Sequence, residues 1–289
     1  MKMDESGRLN VVLFALTGFG NTVLKALLAE NRANVKAVFT VKYDNPFPYY
    51  EEEPLLTLCE QNQVRCYHGI KVSSEEGMAL LQDLAPDLIL VATFKQILKT
   101  NVLSLPKLGV VNLHPSLLPQ YRGPCPSNAA LLNGDTITGI TAHYITEGLD
   151  EGDILFQRKI DIGDVENDGQ LRWKLAQLAG EMVPELLQLF TGFVRPAGIP
   201  QDHSQATDAP KPTAVDGYLE LANNVQEVQR KVRALNPLPG VSILVGQQRI
   251  LVDRFEMCPG SYEEGVCEND AFIDWTINSQ TIRLFKKPN

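Results

Sequence analysis

Apolar runs of strand length alternate with helical patterns over the first 115 residues, and this alternation constrains the fold most strongly. The apolar runs lie at residues 11–14, 35–41, 64–67, 88–93 and 110–113. Helical patterns lie at residues 23–28, 55–61 and 78–84. Strands separated by helices predict an α/β fold, with a Rossmann-like, mostly parallel sheet and helices on both faces. Such sheets bind ligands at the carboxyl ends of their strands.

The second half of the chain has a different rhythm. A run rich in Thr and Ile at residues 138–145 predicts another strand, and apolar spacings of three and four at 169–193 predict a long helix. Four prolines between residues 195 and 212 indicate a linker. Residues 241–256 and 271–285 have the pattern of β segments broken by turns.

Charge and composition disfavour several classes of protein. The formal net charge of −9 disfavours a nucleic-acid partner without excluding one, because a local basic patch can exist on an acidic protein. Five irregularly spaced cysteines predict reduced thiols, and four scattered histidines predict no metal site. The polar N-terminal residues do not resemble a signal peptide, and no apolar run approaches the roughly 20 residues of a membrane span. We therefore expect a cytoplasmic location.

Asn112 and His114 stand two positions apart at the end of an apolar strand. Because side chains alternate along a strand, both are expected on one face of the sheet. Pro115 ends the strand, and three further prolines before residue 127 predict an irregular loop. A polar pair at the carboxyl end of a buried parallel strand suits catalysis. The alternative is a structural pair that caps the strand and bonds to the loop.

A carboxylate follows the next strand, at Asp150 or at Asp153. A carboxylate beside an imidazole orients the ring and raises its pKa. An asparagine amide can donate a hydrogen bond to an oxyanion. Together these groups supply a proton acceptor, its orienting partner and an oxyanion donor, which are the roles that acyl transfer to an amine requires.

Three blocks of this sequence resemble the 10-formyltetrahydrofolate-dependent formyltransferases in their order and spacing. The blocks are residues 112–123, 133–141 and 149–155. The resemblance implies an N-formyltransferase that carries a formyl group from 10-formyltetrahydrofolate, its cosubstrate, to a primary amine. It also implies a catalytic triad of Asn112, His114 and Asp150, and it is the reason to prefer Asp150 to Asp153.

The same resemblance implies where the folate binds. Residues 93–98 resemble the family segment whose backbone holds the pterin ring. The turn around Glu147 and Gly148 resembles the opposite wall of the pocket. The residues expected on the first wall are Phe94, Gln96, Ile97 and Leu98.

The resemblance also implies a mechanism without a side-chain nucleophile. The acceptor amine attacks the formyl carbon, while Asn112 and protonated His114 stabilise the tetrahedral oxyanion. The amine proton leaves through His114 or through a water held by Asp150, and both routes stay open.

The C-terminal part of the chain resembles the family less sharply. A helical pattern at residues 225–235 runs into residues 231–240, which resemble the family's linker helix before an OB-like domain. We predict a formyltransferase catalytic domain at residues 1–200, a linker at 201–212, and a small β-rich, OB-like domain at 213–289.

The preferred acceptor is the amino group of a nucleotide-linked sugar. The acidic charge favours it, as do the short C-terminal part and the lack of a basic insertion near residue 50. Methionyl-tRNA is the second candidate and another small amine the third. A folate-binding sensor without activity is disfavoured because the triad is intact. A homodimer is an open possibility, because family members that modify nucleotide sugars are often dimers.

Four other features have two interpretations each. Gly18-Phe19-Gly20 predicts a tight turn rather than a phosphate site. His143 is expected to be structural or to line the substrate. Cys125 is either an ordinary or a reactive thiol. The acidic, aromatic segment Tyr49–Glu53 is either an exposed turn or a substrate-gating loop.

Overall fold

The computed structural model describes residues 7–41, 53–220, 222–259 and 263–287. The chain forms two compact units that are interleaved along the sequence. The first unit comprises Met1–Arg122, Ile137–Asp161 and Arg172–Asp208, and the second comprises Gly123–Thr136, Ile162–Leu171 and Ala209–Asn289. The boundaries at 200 and 212 stay a prediction.

Seven strands form the sheet of the first unit. They are β1 (Leu9–Ala15), β2 (Ala33–Thr40), β3 (Cys66–His68), β4 (Leu88–Ala92), β5 (Val110–His114), β6 (Ile137–Tyr144) and β7 (Ile154–Asp161). Their order is β3-β2-β1-β4-β5-β6-β7, parallel through β5 and antiparallel at the last two pairs. The predicted mostly parallel sheet is confirmed. The order reverses between β1 and β4, and ligands bind near such a switch point.

The helices lie between the strands along the chain. They are α1 (Phe19–Ala29), α2 (Leu55–Gln61), α3 (Glu75–Leu84), α4 (Thr100–Leu103), α5 (Pro126–Asn133), α6 (Asp168–Leu189) and α7 (Val225–Leu235). None of the helices in the described part of the chain has the length and apolarity needed to cross a membrane.

The core of the first unit is built on the central strands. Every side chain of β4 is buried, as expected for a strand covered on both faces. Phe14 on β1 lies edge-on to Phe39 on β2, with ring centroids 5.4 Å apart. The same Phe14 ring stacks on Phe94, at 5.0 Å, just beyond β4. The hydrophobic packing thus extends to the carboxyl ends of the strands.

The loop predicted after His114 is shorter than the prolines suggested. The irregular segment ends at Cys125, and Pro126 is the first residue of α5 rather than part of the loop. Proline suits this position because the first helical N–H has no partner within the helix and the ring fixes a helical φ. Gly134 ends the helix in the left-handed conformation.

The second unit contains a six-stranded sheet. Its strands are β8 (Tyr218–Leu219), β9 (Val241–Val245), β10 (Gln248–Cys258), β11 (Gly265–Glu268), β12 (Phe272–Ile277) and β13 (Gln280–Lys286). Their order is β11-β12-β13-β10-β9-β8. Helix α7 begins with a capping box formed by Asn224 and Glu227. The predicted β-rich C-terminal region is confirmed.

Candidate active site

Strand pairing brings Asn112 opposite His143. The two residues are direct partners in the antiparallel ladder between β5 and β6. The Asn112 side-chain Nδ2 lies 3.3 Å from His143 Nε2. His114 follows Asn112 by two positions, and its ring centroid is 6.1 Å from that of His143. The three side chains therefore line one face of the sheet.

Asp150 reaches both imidazoles. Its Oδ2 lies 3.6 Å from His114 Nδ1, and its Oδ1 lies 3.7 Å from His143 Nε2. Both distances are too long for direct hydrogen bonds, and each contact is an ion pair only when the imidazole is protonated. The structure thus brings Asn112, His114 and Asp150 together, as the sequence predicted, and adds His143 to the group.

Several residues of the 150–153 turn have constrained backbone conformations or contacts. Asp150 has φ +52°, in the left-handed region that aspartate tolerates better than most side chains. A Cβ atom at Gly152 would overlap the carbonyl oxygen of Tyr144. The rival carboxylate, Asp153, has an exposed side chain, and its backbone carbonyl accepts from the Tyr144 N–H at 3.0 Å. Strained backbone of this kind concentrates at functional sites.

Backbone carbonyls fix where the ring protons lie. His114 Nε2 is 2.9 Å from the carbonyl oxygen of Tyr121, and His143 Nδ1 is 2.9 Å from that of Tyr144. A carbonyl oxygen only accepts, so each of these nitrogens must carry a proton. In the neutral His114 ring, the unprotonated nitrogen is then Nδ1, which faces Asp150.

His143 is held in its neutral form. Burial, and to a lesser extent the nearby His114, together lower its pKa from an ordinary 6.5 to about 4, even though Asp150 acts in the opposite direction. Its side chain is only 1% exposed. A neutral His143 can accept a hydrogen bond from the Asn112 amide. His143 therefore carries no positive charge near neutral pH.

The depressed pKa of His143 predicts an acid-sensitive fold. The unfolded chain takes up a proton near pH 6.5 and the folded chain only near 4, so stability falls as pH drops through this window. Compared with His143→Gln, the wild type should lose about 2 kcal/mol more unfolding free energy between about pH 7.5 and pH 5. Denaturant unfolding at the two pH values measures this difference.

A matched control for that experiment is His68→Gln, which removes an exposed histidine. This variant should follow the wild type at both pH values. Equal pH dependence in the wild type and His143→Gln would contradict a neutral, buried His143.

The segment predicted to hold the pterin is anchored by its side chains. Phe94 packs into the core against Phe14, and Leu98 is buried. Ile97 is 87% exposed between them. Thr93, which precedes the segment, has φ +57°, unusual for a β-branched residue. The buried side chains fix the segment and leave Ile97 on its outer surface.

The side chain of Gln96 holds a neighbouring loop. Its Oε1 accepts from the Val72 N–H at 2.9 Å, and its Nε2 donates to the Ile70 carbonyl at 2.8 Å. Further along, the Thr100 hydroxyl donates to the Glu147 carboxylate. The region after β4 is therefore tied to the turn at Glu147 and Gly148, so the two predicted folate walls lie at one end of the sheet.

The remaining predicted features have simpler outcomes. Gly18, at φ +92°, precedes the first residue of α1, and its N–H donates to Asn21 Oδ1 at 3.1 Å, so the tight-turn interpretation accounts for it. Cys125 is half-buried.

Tyr49–Glu53 lies outside the described residues except for Glu53. Within the described ranges, no cluster of three His, Cys, Asp or Glu residues is arranged to hold a metal.

Sequence comparisons point to one family. The family model described as "Formyl transferase" matches residues 9–187. The methionyl-tRNA formyltransferase of Kosmotoga olearia is 36% identical over 246 residues, which cover 84% of this chain and 75% of that protein.

Solved structures share the fold at lower identity. An N-formyltransferase from Helicobacter canadensis, solved with folinic acid and dTDP-3-aminofucose, matches with a TM-score of 0.73 at 15% identity, covering 96% of this chain and 100% of that chain. Glycinamide ribonucleotide transformylase 1 from Symbiobacterium toebii matches with a TM-score of 0.56 at 22% identity, covering 70% of this chain and 97% of that chain.

Proposed function

The chain belongs to the formyl transferase family, and from this premise we propose that it moves a formyl group from 10-formyltetrahydrofolate to a primary amine. The observation that carries the proposal is the cluster of Asn112, His114 and Asp150 at the end of β5. A formylated folate as donor is supported by the Helicobacter canadensis structure of the same fold, which was solved with folinic acid.

The first step is attack of the amine lone pair on the formyl carbon. A C–N bond forms, and the electrons of the C=O double bond move onto oxygen. The Asn112 amide has two N–H groups, and one donates to His143. The other is available to donate to the oxyanion as it forms. Neutral His143 thus acts as a positioning residue that fixes the rotation of the amide.

The second step moves the amine proton and breaks the bond to folate. His114 Nδ1 accepts the proton because Nε2 already donates to Tyr121. The Asp150 carboxylate, 3.6 Å away, stabilises the resulting imidazolium. When the oxyanion collapses, the bond from the formyl carbon to N10 of the folate breaks. The proton on His114 then passes to N10, which restores the neutral ring and releases tetrahydrofolate.

The folate is proposed to bind between the two predicted walls. The backbone of residues 94–98 supplies hydrogen-bonding groups on a rigid segment, because Phe94 and Leu98 are packed into the core. Exposed Ile97 offers an apolar surface to a flat ring. The turn at Glu147 and Gly148 forms the opposite wall, and Thr100 fixes the Glu147 carboxylate.

We propose the amino group of a nucleotide-linked sugar as the acceptor. Residues 147–153 carry four carboxylates and no Lys or Arg, which favours a protonated amine and opposes a polyanion. Residues 213–289 contain 8 Lys and Arg against 10 Asp and Glu, so this region also lacks a basic surplus. A sugar nucleotide carries far fewer phosphates than a tRNA. The negative charge of these two regions therefore repels a sugar nucleotide less than it repels a tRNA.

Methionyl-tRNA is the second candidate. The curated relatives at 33–40% identity are methionyl-tRNA formyltransferases, which is the specific observation in its favour. Their sequence similarity covers most of this chain, whereas the sugar N-formyltransferases support the fold alone.

A direct competition of acceptors tests the proposal. The chain is mixed with 10-formyltetrahydrofolate and equal concentrations of a dTDP- or UDP-linked amino sugar and of initiator methionyl-tRNA. We expect the amino sugar to be formylated at least about 10²-fold faster than the tRNA at physiological salt, because the formal net charge of −9 opposes a polyanion. Mass spectrometry of each acceptor measures the formyl amide.

The same experiment also tests the tRNA candidate. Faster formylation of the tRNA, at a rate that falls steeply with added salt, would contradict the sugar acceptor. If neither acceptor is formylated, the third candidate, another small amine, is tested with a panel of amines. Tetrahydrofolate that is never released with any amine would contradict formyl transfer itself.

A further inference from the structure

Gln201 is buried, although it lies in the segment predicted to be a linker. Only 6% of the residue is exposed. Its side-chain Nε2 donates to two carbonyl oxygens of the turn that carries the proposed carboxylate: Asp150 at 2.7 Å and Gly152 at 2.8 Å. One amide group therefore satisfies and fixes two backbone acceptors on either side of residue 151.

The other end of the same amide holds a different loop. Gln201 Oε1 accepts from Arg122 Nη2 at 2.7 Å and from Arg122 Nε at 3.2 Å. Arg122 is itself buried and directly follows Tyr121, whose carbonyl anchors His114. The same segment adds Thr207, whose hydroxyl accepts from the Tyr121 N–H at 2.9 Å. The Gln201 amide thus connects the loop beside His114 to the turn of Asp150.

From these contacts we propose that Gln201 is a positioning residue that sets the separation between His114 Nδ1 and the Asp150 carboxylate. The proposal rests on the proposed function of that pair. The two side chains are 3.6 Å apart without a direct hydrogen bond, so their separation must be fixed by the loops that carry them. The φ of +52° at Asp150 also persists only if surrounding contacts hold it.

The chemistry of the amide explains why glutamine serves here. The site needs donors toward two carbonyls and an acceptor toward a guanidinium, and only a primary amide offers both within one side chain of this length. Glutamate has the same shape and keeps the acceptor for Arg122. Its second oxygen faces the Asp150 and Gly152 carbonyls without a proton to donate. Gln201→Glu therefore removes the positioning contacts and retains the Arg122 contact.

The test is steady-state kinetics of Gln201→Glu with 10-formyltetrahydrofolate and the acceptor amine that the chain formylates fastest. We expect kcat to fall by about 10- to 10²-fold, since a misplacement of about 1 Å costs that much. The KM values of both substrates should stay within about twofold, because Gln201 contacts the catalytic turn rather than either proposed folate wall. A rise in KM with kcat unchanged would overturn the proposal.

Gln205→Glu is the matched control. It makes the same chemical change four positions along, on an exposed side chain. Its kcat should stay within about twofold of wild type. If Gln201→Glu does not fold, as judged by circular dichroism and thermal unfolding, Gln201→Met supplies a side chain of similar length without hydrogen bonds. It should show the same selective loss of kcat, and wild-type kcat in this variant would overturn the proposal.

A double-mutant cycle separates this proposal from the proposed function. If Gln201 acts by placing Asp150, adding Gln201→Glu to Asp150→Asn should lower the residual kcat by less than about threefold. A full 10- to 10²-fold further loss would mean that Gln201 acts independently of Asp150 and would overturn the inference. Full activity of Asp150→Asn alone would instead contradict the proposed function, because the carboxylate would have no role to position.

Discussion

Replacing His114 with glutamine is expected to lower the turnover of formyl transfer by about 10²- to 10⁴-fold. The glutamine amide can still donate to the Tyr121 carbonyl, as His114 Nε2 does, so the loop after β5 keeps its anchor. The amide cannot accept the proton that we assign to His114 Nδ1. Steady-state release of tetrahydrofolate in the presence of the acceptor amine measures the effect.

The size of this loss follows from the weak basicity of the second imidazole. His143 lies near the same carboxylate, but burial is the largest cause of its lowered pKa and makes it a poor proton acceptor near neutral pH. His68→Gln removes an exposed histidine and should leave turnover within about twofold of wild type. Retention of most activity in His114→Gln would mean that proton transfer does not pass through this ring.

Replacing Asp150 with asparagine should also reduce turnover by about 10²- to 10⁴-fold. Asparagine has the same shape and tolerates the φ of +52° at this position, so the turn should persist. The change removes the negative charge that lies 3.6 Å from His114 Nδ1 and stabilises the imidazolium. Turnover numbers at saturating substrates, with circular dichroism of both proteins, separate a loss of chemistry from a loss of fold.

The rival carboxylate provides the control for that experiment. Asp153→Asn removes the same charge three residues later, from an exposed side chain. It should reduce turnover by no more than about threefold, the scale of a distant charge effect. A large loss in Asp153→Asn together with an active Asp150→Asn would exchange the roles assigned to the two carboxylates.

The strands and helices that the sequence predicts well have strong apolar periodicity. The helices at residues 55–61 and 225–235 have the bounds that were predicted, and β4 and β5 end within one residue of theirs. These segments bury one face or both faces, so their hydrophobic pattern reports the packing directly. For these strands and helices the local sequence is sufficient for prediction, because the burial of their own side chains determines the structure.

Strand β7 and helix α5 are among the elements that were not predicted, because their sequences carry weaker signals. Strand β7 contains Gln157, Arg158 and Lys159 and lies at the edge of its sheet, and none of its side chains is fully buried. An edge strand needs little apolar alternation, so the pattern is missing. Helix α5 begins at Pro126, and its proline was interpreted as part of a loop, although proline is favoured at the first helical position.

The candidate site also contains residues that the local sequence pattern predicts and residues that it does not. Strand alternation alone places Asn112 and His114 on one face, whereas Asp150 was preferred only by family resemblance. His143 joins the group through antiparallel pairing with β5, a register that periodicity does not reveal. Gln201 reaches the catalytic turn from 51 residues away, out of a proline-rich segment. Such contacts depend on tertiary structure that no local pattern encodes.

The most direct test of formyl transfer through this cluster counts both products in one reaction. Tetrahydrofolate is measured by absorbance and the formylated amine by mass spectrometry, for the wild type and for Asp150→Asn. We predict that the wild type forms the two products in equal amounts and that the variant loses both together. Release of tetrahydrofolate without formylated amine, or equal amounts of product from both proteins, would contradict transfer assisted by His114 and Asp150.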